Sequence, residues 1–354
     1  MNSINNLYLS KRSTELRFVL ISVIICSLLW GACCRGPQGP VGPRGPRGLS
    51  PVIMVPDDAK TIQQAIDSLP STGGTVYIKA GIYVLSRGIH LNQSNVTLKG
   101  EQGVLVKLAD HVNQPVLLIG TDEQTATVTI ENITISDMEI DGNKDSQDRE
   151  TDPERPWIRN NGIDIRKVND LRMSAVDVHD AISGGIVASW GCNRIFLCNS
   201  CLHHNFFDGI ALYDSEDILV CDFMCYENGA AGLSLDIKLK HASFDNGSVK
   251  NNGDVGIFVR DSEDLSFHDL LIYGNGSHGC FLSHHELGTN TGVKRLFFES
   301  CSFLDNDGWG LYLASPTSES PNNSVVGCLF SGNTLGAIKI DEEGELYQEA
   351  NIFQ

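Results

Sequence analysis

Cationic side chains are scarce in this sequence: 26 Lys and Arg face 44 Asp and Glu, a formal charge of −18 over 354 residues. Nucleic-acid affinity rests on clustered Lys and Arg that release counterions from phosphates, so a nucleic-acid partner is excluded. Charged residues make up only 20% against 41% hydrophobic, which is a globular and not a disordered composition. Helical periodicity is missing from nearly the whole chain, and the one long charge-free apolar run, Phe18 to Trp30, is shorter than the roughly 20 residues a bilayer core needs.

What is present begins with that run. Lys11, Arg12 and Arg17 precede it and Gly31-Ala32-Cys33-Cys34 end it, the basic, apolar and small-residue layout of an export signal over residues 1–34. Gly31-Ala32-Cys33 resembles the lipobox of bacterial lipoproteins, which implies lipidation of Cys33, although Leu29 stands one place further from the cysteine than the usual pattern. Glycines at 36, 39, 42, 45 and 48, with prolines at 37, 40, 43 and 46, make residues 35–51 collagen-like, because only glycine fits the axis of a triple helix. So short a run reads first as a stiff polyproline-II spacer, with a homotrimer as the second reading. The expectation is an exported protein, secreted or held in the cell envelope, that meets a membrane only through its N-terminal lipid anchor.

From Asn160 onward one phrase recurs: Gly162-Ile-Asp-Ile, Gly185-Ile-Val-Ala, Gly209-Ile-Ala-Leu, Gly232-Leu-Ser-Leu, Gly256-Ile-Phe-Val, Gly279-Cys-Phe-Leu and Gly310-Leu-Tyr-Leu, with glycine spacings of 23, 24, 23, 24, 23 and 31. An asparagine column, Asn205, Asn228, Asn252, Asn275, Asn306 and Asn333, shows the same long interval, so the 31 marks an insertion within one unit. Carrying the spacing forward puts Ala337 in the glycine column. Each unit holds short apolar-alternating strands separated by Gly, Asn and Asp. A leucine framework is absent and the unit is too short for a propeller blade. A unit of this length suits a right-handed parallel β-helix, an all-β solenoid of about 12 rungs over residues 52–354. Ile163, Ile186, Ile210, Leu233 and Ile257 then form a buried ladder, and the asparagines are stacked turn residues. Ile62, Ala65, Ile66 and Leu69 predict a helix over Thr61 to Leu69 that covers the open first rung.

Gly73-Gly74-Thr75-Val76-Tyr77-Ile78-Lys79-Ala80-Gly81-Ile82-Tyr83 and Asn95-Val96-Thr97-Leu98-Lys99-Gly100, with Asp57-Asp58 and the helix, resemble the opening of the pectin-lyase-like β-helix proteins. The resemblance covers residues 52–354 and implies the fold. It leaves activity open, because that superfamily holds lyases, hydrolases, epimerases, tailspikes and proteins without catalysis. The Asp-Pro-His-Asp signature of mannuronan epimerases is absent, with Asn205-Phe-Phe-Asp208-Gly209 at a comparable turn. Tyr273-Gly-Asn275-Gly-Ser-His278-Gly279 is similar to a later epimerase stretch and also to the general rung pattern. The polygalacturonase marks are missing too.

Cys198 and Cys221 are 23 apart and Cys201 and Cys225 are 24 apart, which places each pair in one column. The spacing is open to inward thiols, a disulfide between rungs or zinc.

In each phrase the second and fourth positions after glycine face outward, and the fourth brings Tyr213, Asp236 and Arg260 onto three consecutive rungs. These types suit proton abstraction beside a uronate carboxylate, with Arg260 forking the carboxylate, Tyr213 as acid or base, and Asp236 orienting a partner or binding a cation. Lys238, His204 and Asp208 flank them. A salt-bridged surface ladder is the structural alternative. The break in periodicity from Asp141 to Arg159 offers Asp141, Asp145 and Asp148 as calcium ligands, Trp157 to stack a sugar and Arg159 to meet acidic groups. His179-Asp180 and His203-His204 precede turns, and His284-His285-Glu286 opens the insertion. The expected function is recognition of an acidic polysaccharide, with cleavage or epimerisation as its chemistry. The rival is a non-catalytic envelope protein that binds glycan or protein, which the acidic surface favours unless calcium bridges it to the polymer.

Overall fold

A computed structural model describes residues 51–284, 292–314, 321–341 and 345–354. The export segment with Cys33, the Gly-x-y spacer as far as Ser50, and His285-Glu286 of the insertion lie outside the described residues.

The glycine-led phrases become the short strands of a parallel sheet of ten strands among the described residues. Its register stacks Ile163, Ile186, Ile210, Leu233, Ile257, Cys280, Leu311 and Ile338 in one column, buried from Ile163 to Leu311. The pairing of Leu311 with Ile338 sets Ala337 beside Gly310, so alanine does take the place of glycine there. The intervening stretches are longer strands such as Asn193–His203 and Glu216–Tyr226. They bend sharply where one residue turns left-handed, at Asn199 (φ 51°), Asp222 (φ 51°) and Asn246 (φ 52°), a conformation that Asn and Asp tolerate better than most residues. Each bent strand therefore runs along two faces of the coil in a second parallel sheet, and the whole is a right-handed parallel β-helix of about 12 turns.

Repetition makes like side chains pack on like. Phe244, Phe267 and Phe298 stack with ring centroids 5.1 and 4.4 Å apart, and Phe303 stacks on Phe330 at 4.7 Å. Each buried ring contributes about 2–3 kcal/mol of burial and about 1 kcal/mol from each ring pair. The asparagines form a continuous ladder: Nδ2 of Asn205, Asn228, Asn252, Asn275 and Asn306 donates to Oδ1 of the next at 3.0, 3.0, 3.0, 2.9 and 2.8 Å. The same oxygens accept backbone N–H groups, as Asn252 Oδ1 does from Asn228 at 3.1 Å. The amides thus satisfy the buried turns that would otherwise orphan their backbone.

The capping helix runs over Ile62–Asp67, with Thr61 Oγ1 accepting from Gln64 N at 3.1 Å, and Ile62, Ala65 and Ile66 close the first rung. It ends before Leu69 because Ser68 caps it, returning its N–H to Gln64 and Ala65 carbonyls.

The cysteines divide. Cys198 and Cys221 form a disulfide between adjacent rungs with Cα atoms 4.6 Å apart. Cys201 and Cys225 do not share a column, contrary to the sequence expectation: Cys201 pairs with Met224, and Cys225 with Leu202. The rung step between these strands is 23 residues, and a slip of one residue moves a side chain to the opposite face of a strand. Cys225 is accordingly buried while Cys201 is partly exposed. With two thiols joined and two on opposite faces, the four do not form a zinc shell.

Candidate functional site

The outward face of the ten-stranded sheet carries the site. Over its first rungs the segments around Asp122–Gln124 and Glu150–Arg159 lie across the strands. Arg166 donates to the carbonyls of Glu123 (2.6 Å) and Trp157 (3.3 Å), and Trp157 Nε1 donates to the Asp122 carbonyl at 2.9 Å. Asp164 and Arg166, outward by alternation, are therefore only 5% and 2% exposed. Burial pushes the Asp164 carboxyl up to about 7, against the pull of Arg166.

Beyond this cover the face carries Asp208, Tyr213 and Arg260, partly exposed, around the buried Ser234 and Asp236. Tyr213 and Asp236 are register partners. Arg260 turns its fork onto Asp236, with Nε 3.0 Å from both carboxylate oxygens and Nη2 closing the pair. The two opposite charges face each other on neighbouring rungs, and a bidentate pair outcompetes solvent for the guanidinium. Arg260 is thus engaged rather than free to fork a substrate carboxylate, and Asp236, 4% exposed, has no open side for a cation.

The reactive grouping lies next to that pair. The Tyr213 hydroxyl is 3.4 Å from Ser234 Oγ, and Ser234 is among the neighbours that keep the Asp208 carboxyl from rising further. Asp208 is pushed up to about 6, first by burial and further by Asp254, while the Ala231 N–H (3.0 Å) and Arg159 hold it from going higher. Burial, then the charge of Asp208, raises the Tyr213 phenol above its ordinary value. Arg159 is positioned by Ser183 Oγ at 3.0 Å, Glu150 at 2.9 Å and the Phe207 ring 4.9 Å beneath its guanidinium. Further along, His278 Nδ1 accepts the Trp309 N–H at 2.9 Å, which fixes its proton on Nε2, and burial lowers its pKa.

Of the residues proposed from sequence, the structure gathers Tyr213, Asp208 and Arg159. Lys238 sits exposed in the turn after Leu233–Asp236. His204 is on another corner, against His203, Tyr226 and Glu227. Trp157 serves as part of the cover. Asp141, Asp145 and Asp148 do not share a shell: Asp141 holds Lys107 Nζ at 2.6 Å and Asp148 holds His111 at 2.8 Å, while the described carboxylate-histidine group that includes Asp141 is completed by His179 and Asp180. Ser234, Asp164, Asp254 and His278 were not singled out as site residues. Ser234 and Asp164 occupy the second position after glycine, so the alternation that gave Tyr213 contains them.

The chain is a parallel β-helix with perturbed acidic and phenolic groups on one outward sheet face. The model of the family described as "Periplasmic copper-binding protein (NosD)" matches residues 136–351, more than half of the chain, and the chain belongs to this family. Mannuronan C5-epimerases AlgE5 and AlgE2 of Azotobacter vinelandii are each 29% identical over 214 residues, covering 51% of this chain. The match spans only 21% of the length of either epimerase. The AlgE4 epimerase A-module of the same organism superposes with a TM-score of 0.62 at 20% identity, covering 86% of this chain and 93% of the module. Pectate lyase Pel9A follows the same fold with a TM-score of 0.54 at 10% identity, covering 79% of this chain and 72% of the lyase.

Proposed function

We propose that the protein modifies a uronate-containing polysaccharide by proton transfer on the open face of the ten-stranded sheet. The observation that carries this reading is the grouping of Asp208, Ser234 and Tyr213, a carboxyl pushed up to about 6 beside a phenol that stays protonated. Arg159, half exposed and held by Glu150 through Nη2 and not by a buried bidentate pair, pairs with the uronate carboxylate and stabilises the charge that develops there. Asp208, ionised above about pH 6, accepts the proton on the carbon beside that carboxylate. Tyr213 returns a proton to the opposite face, which gives the epimer, or to the departing glycosidic oxygen, which gives an unsaturated end. The mannuronan epimerases among the relatives support this substrate class. In the same reading calcium bridges the acidic polymer to the acidic protein rather than residing on Asp141, Asp145 and Asp148.

Residues 1–34 export the chain, Cys33 carries a lipid and residues 35–51 are the spacer that sets the domain off from the membrane, with trimerisation through the Gly-x-y stretch as its variant. The periplasmic description of the family supports that placement.

Copper is named in the family's description. The group Asp141, His179 and Asp180 is unsuited to it: Lys107 and Lys144 sit on its two carboxylates, and both His179 nitrogens face carboxylates, Asp180 at 2.8 Å and Glu139 at 3.0 Å.

The test is incubation of the protein with mannuronan, alginate and pectate, with and without calcium, following uronate configuration by NMR and new unsaturated ends by ultraviolet absorbance. Change in either, lost in Asp208→Asn, supports the reading. Binding of polymer with neither change supports the non-catalytic alternative.

A further inference from the structure

The outward column that holds Ser234 continues along the sheet. Its register partners on the following rungs are Phe258, Phe281, Tyr312 and Lys339, so three aromatic rings stand on consecutive rungs of the outer face, each half-buried. Neighbouring rings lie 6.0 and 5.1 Å apart, centroid to centroid, with their planes turned 42° and 40° to one another. The core rings Phe244, Phe267 and Phe298 stack instead at 11° and 6°. A parallel stack covers each ring face with the next ring, whereas fanned rings leave faces turned to solvent. A contiguous row of open apolar surface rimmed by polar groups is the mark of an interaction site.

Polar groups border the row. His278 stands edge-on to Tyr312, 5.2 Å away at 82°, and 5.6 Å from Phe281. Its Nδ1 accepts the Trp309 N–H, which leaves Nε2–H as a donor. Glycine at 308 makes room for this imidazole, since a Cβ there would stand 2.3 Å from His278 Nδ1. The Tyr312 hydroxyl donates to Asp341 Oδ2 at 3.1 Å and accepts from Lys339 Nζ at 3.2 Å, and that ammonium lies 4.2 Å from the centre of the same ring. These contacts fix the Tyr312 and His278 rings before any ligand arrives, which lowers the ordering cost of binding. At the other end Arg260, engaged with Asp236, lies over Phe258 at 5.4 Å.

We propose that Phe281 and Tyr312, with His278 beside them, form sugar-stacking subsites that hold successive pyranose units of the polysaccharide beyond the unit at Asp208 and Tyr213. The C–H faces of a pyranose pack on aromatic rings, and its hydroxyls accept the Nε2–H of His278. The rungs advance by about 5 Å, the length that one unit adds to an extended polysaccharide chain, so one ring meets one sugar. The polymer then runs along the solenoid axis from Ser234 toward Lys339. The assignment rests on the polysaccharide reading for its ligand and on the ring geometry for its place.

The experiment is calorimetric titration of the full-length protein, with calcium present, by mannuronate trimer, mannuronate hexamer and cellohexaose as a neutral chain. The hexamer is expected to bind about tenfold or more tighter than the trimer, and Phe281→Leu to lose that advantage. Leucine keeps the apolar bulk of the column and removes the ring face, and melting temperature is measured to show that the variant folds. Hexamer affinity should also fall severalfold in His278→Gln, which reads the same subsites through a second group. Phe196→Ala, at an exposed ring on the other sheet, should bind as the parent does. A hexamer advantage that is missing from the parent, or unchanged in folded Phe281→Leu, overturns the subsites and leaves the reaction at Asp208 standing. Binding of cellohexaose that depends on Phe281, with neither uronate bound, supports the subsites and overturns the uronate reading instead. No binding by any of the three chains overturns both.

Discussion

The hydroxyl of Tyr213 stands 3.4 Å from the hydroxyl of Ser234 on the next rung, and burial, then the charge of Asp208, raises the same phenol. The phenol and the serine meet because adjacent rungs place outward side chains about one strand spacing apart. Removing the phenolic oxygen alone should therefore abolish turnover without disturbing the sheet. Tyr213→Phe is expected to lower the rate on a uronate polymer by about 100-fold or more while leaving polymer binding and melting temperature near those of the parent.

The pH profile follows from the same pair. Asp208 is pushed up to about 6 by burial, so as the base it is active once ionised, and the rate should rise as pH increases through about 6. Tyr213, raised above its ordinary value, stays protonated across that range and adds no second limb near neutrality. Initial rates from pH 5 to 8 check this. A rate that falls as pH rises through 6 would assign the carboxyl the opposite role.

Asp164 offers a separate test of the electrostatics through stability. Its folded value of about 7 lies above the unfolded value of about 3.9, so the folded state holds the proton more tightly. Stability is lost as pH rises from about 4 to about 7 and then levels, on the order of 3–4 kcal/mol in all. The melting temperature of Asp164→Asn relative to the parent should climb over that window and stay flat above it. The sign of the trend is set by the raised value, whatever the constant offset from losing a charge beside Arg166.

The asparagine ladder should be costly to break in the middle and cheap at its end. Asn252→Ala strips partners from the Asn228 N–H and Nδ2, from the Cys225 carbonyl and from Asn275 Oδ1. With these groups buried the loss is about 3 kcal/mol or more. Asn333 is partly exposed, water replaces it, and Asn333→Ala should cost about 1 kcal/mol. Chemical denaturation of both variants gives the comparison.

Most of the coil was readable because its physics is repetitive: the Gly209 and Asn228 columns fix the rung length, and alternation from each glycine gives inward Ile210 and outward Tyr213. The errors came from places where spacing does not settle a face or a partner. Cys201 and Cys225 are 24 apart on strands that step by 23, so one residue of slip put them on opposite sides. Arg260 and Asp236 form the salt-bridged ladder that stood as the structural alternative to a substrate fork. Asp164 was passed over because its burial depends on a cover built from residues 122–124 and 150–159, which no local pattern specifies.

The central claim is proton exchange at the carbon beside a uronate carboxylate, and it is tested most directly by incubating the protein with mannuronan in deuterated water and reading that carbon by NMR. The account predicts deuterium at that position, with exchange lost in Asp208→Asn and strongly slowed in Tyr213→Phe. A polymer that binds and returns with its hydrogen intact, under conditions where Asp208 is ionised, would contradict it.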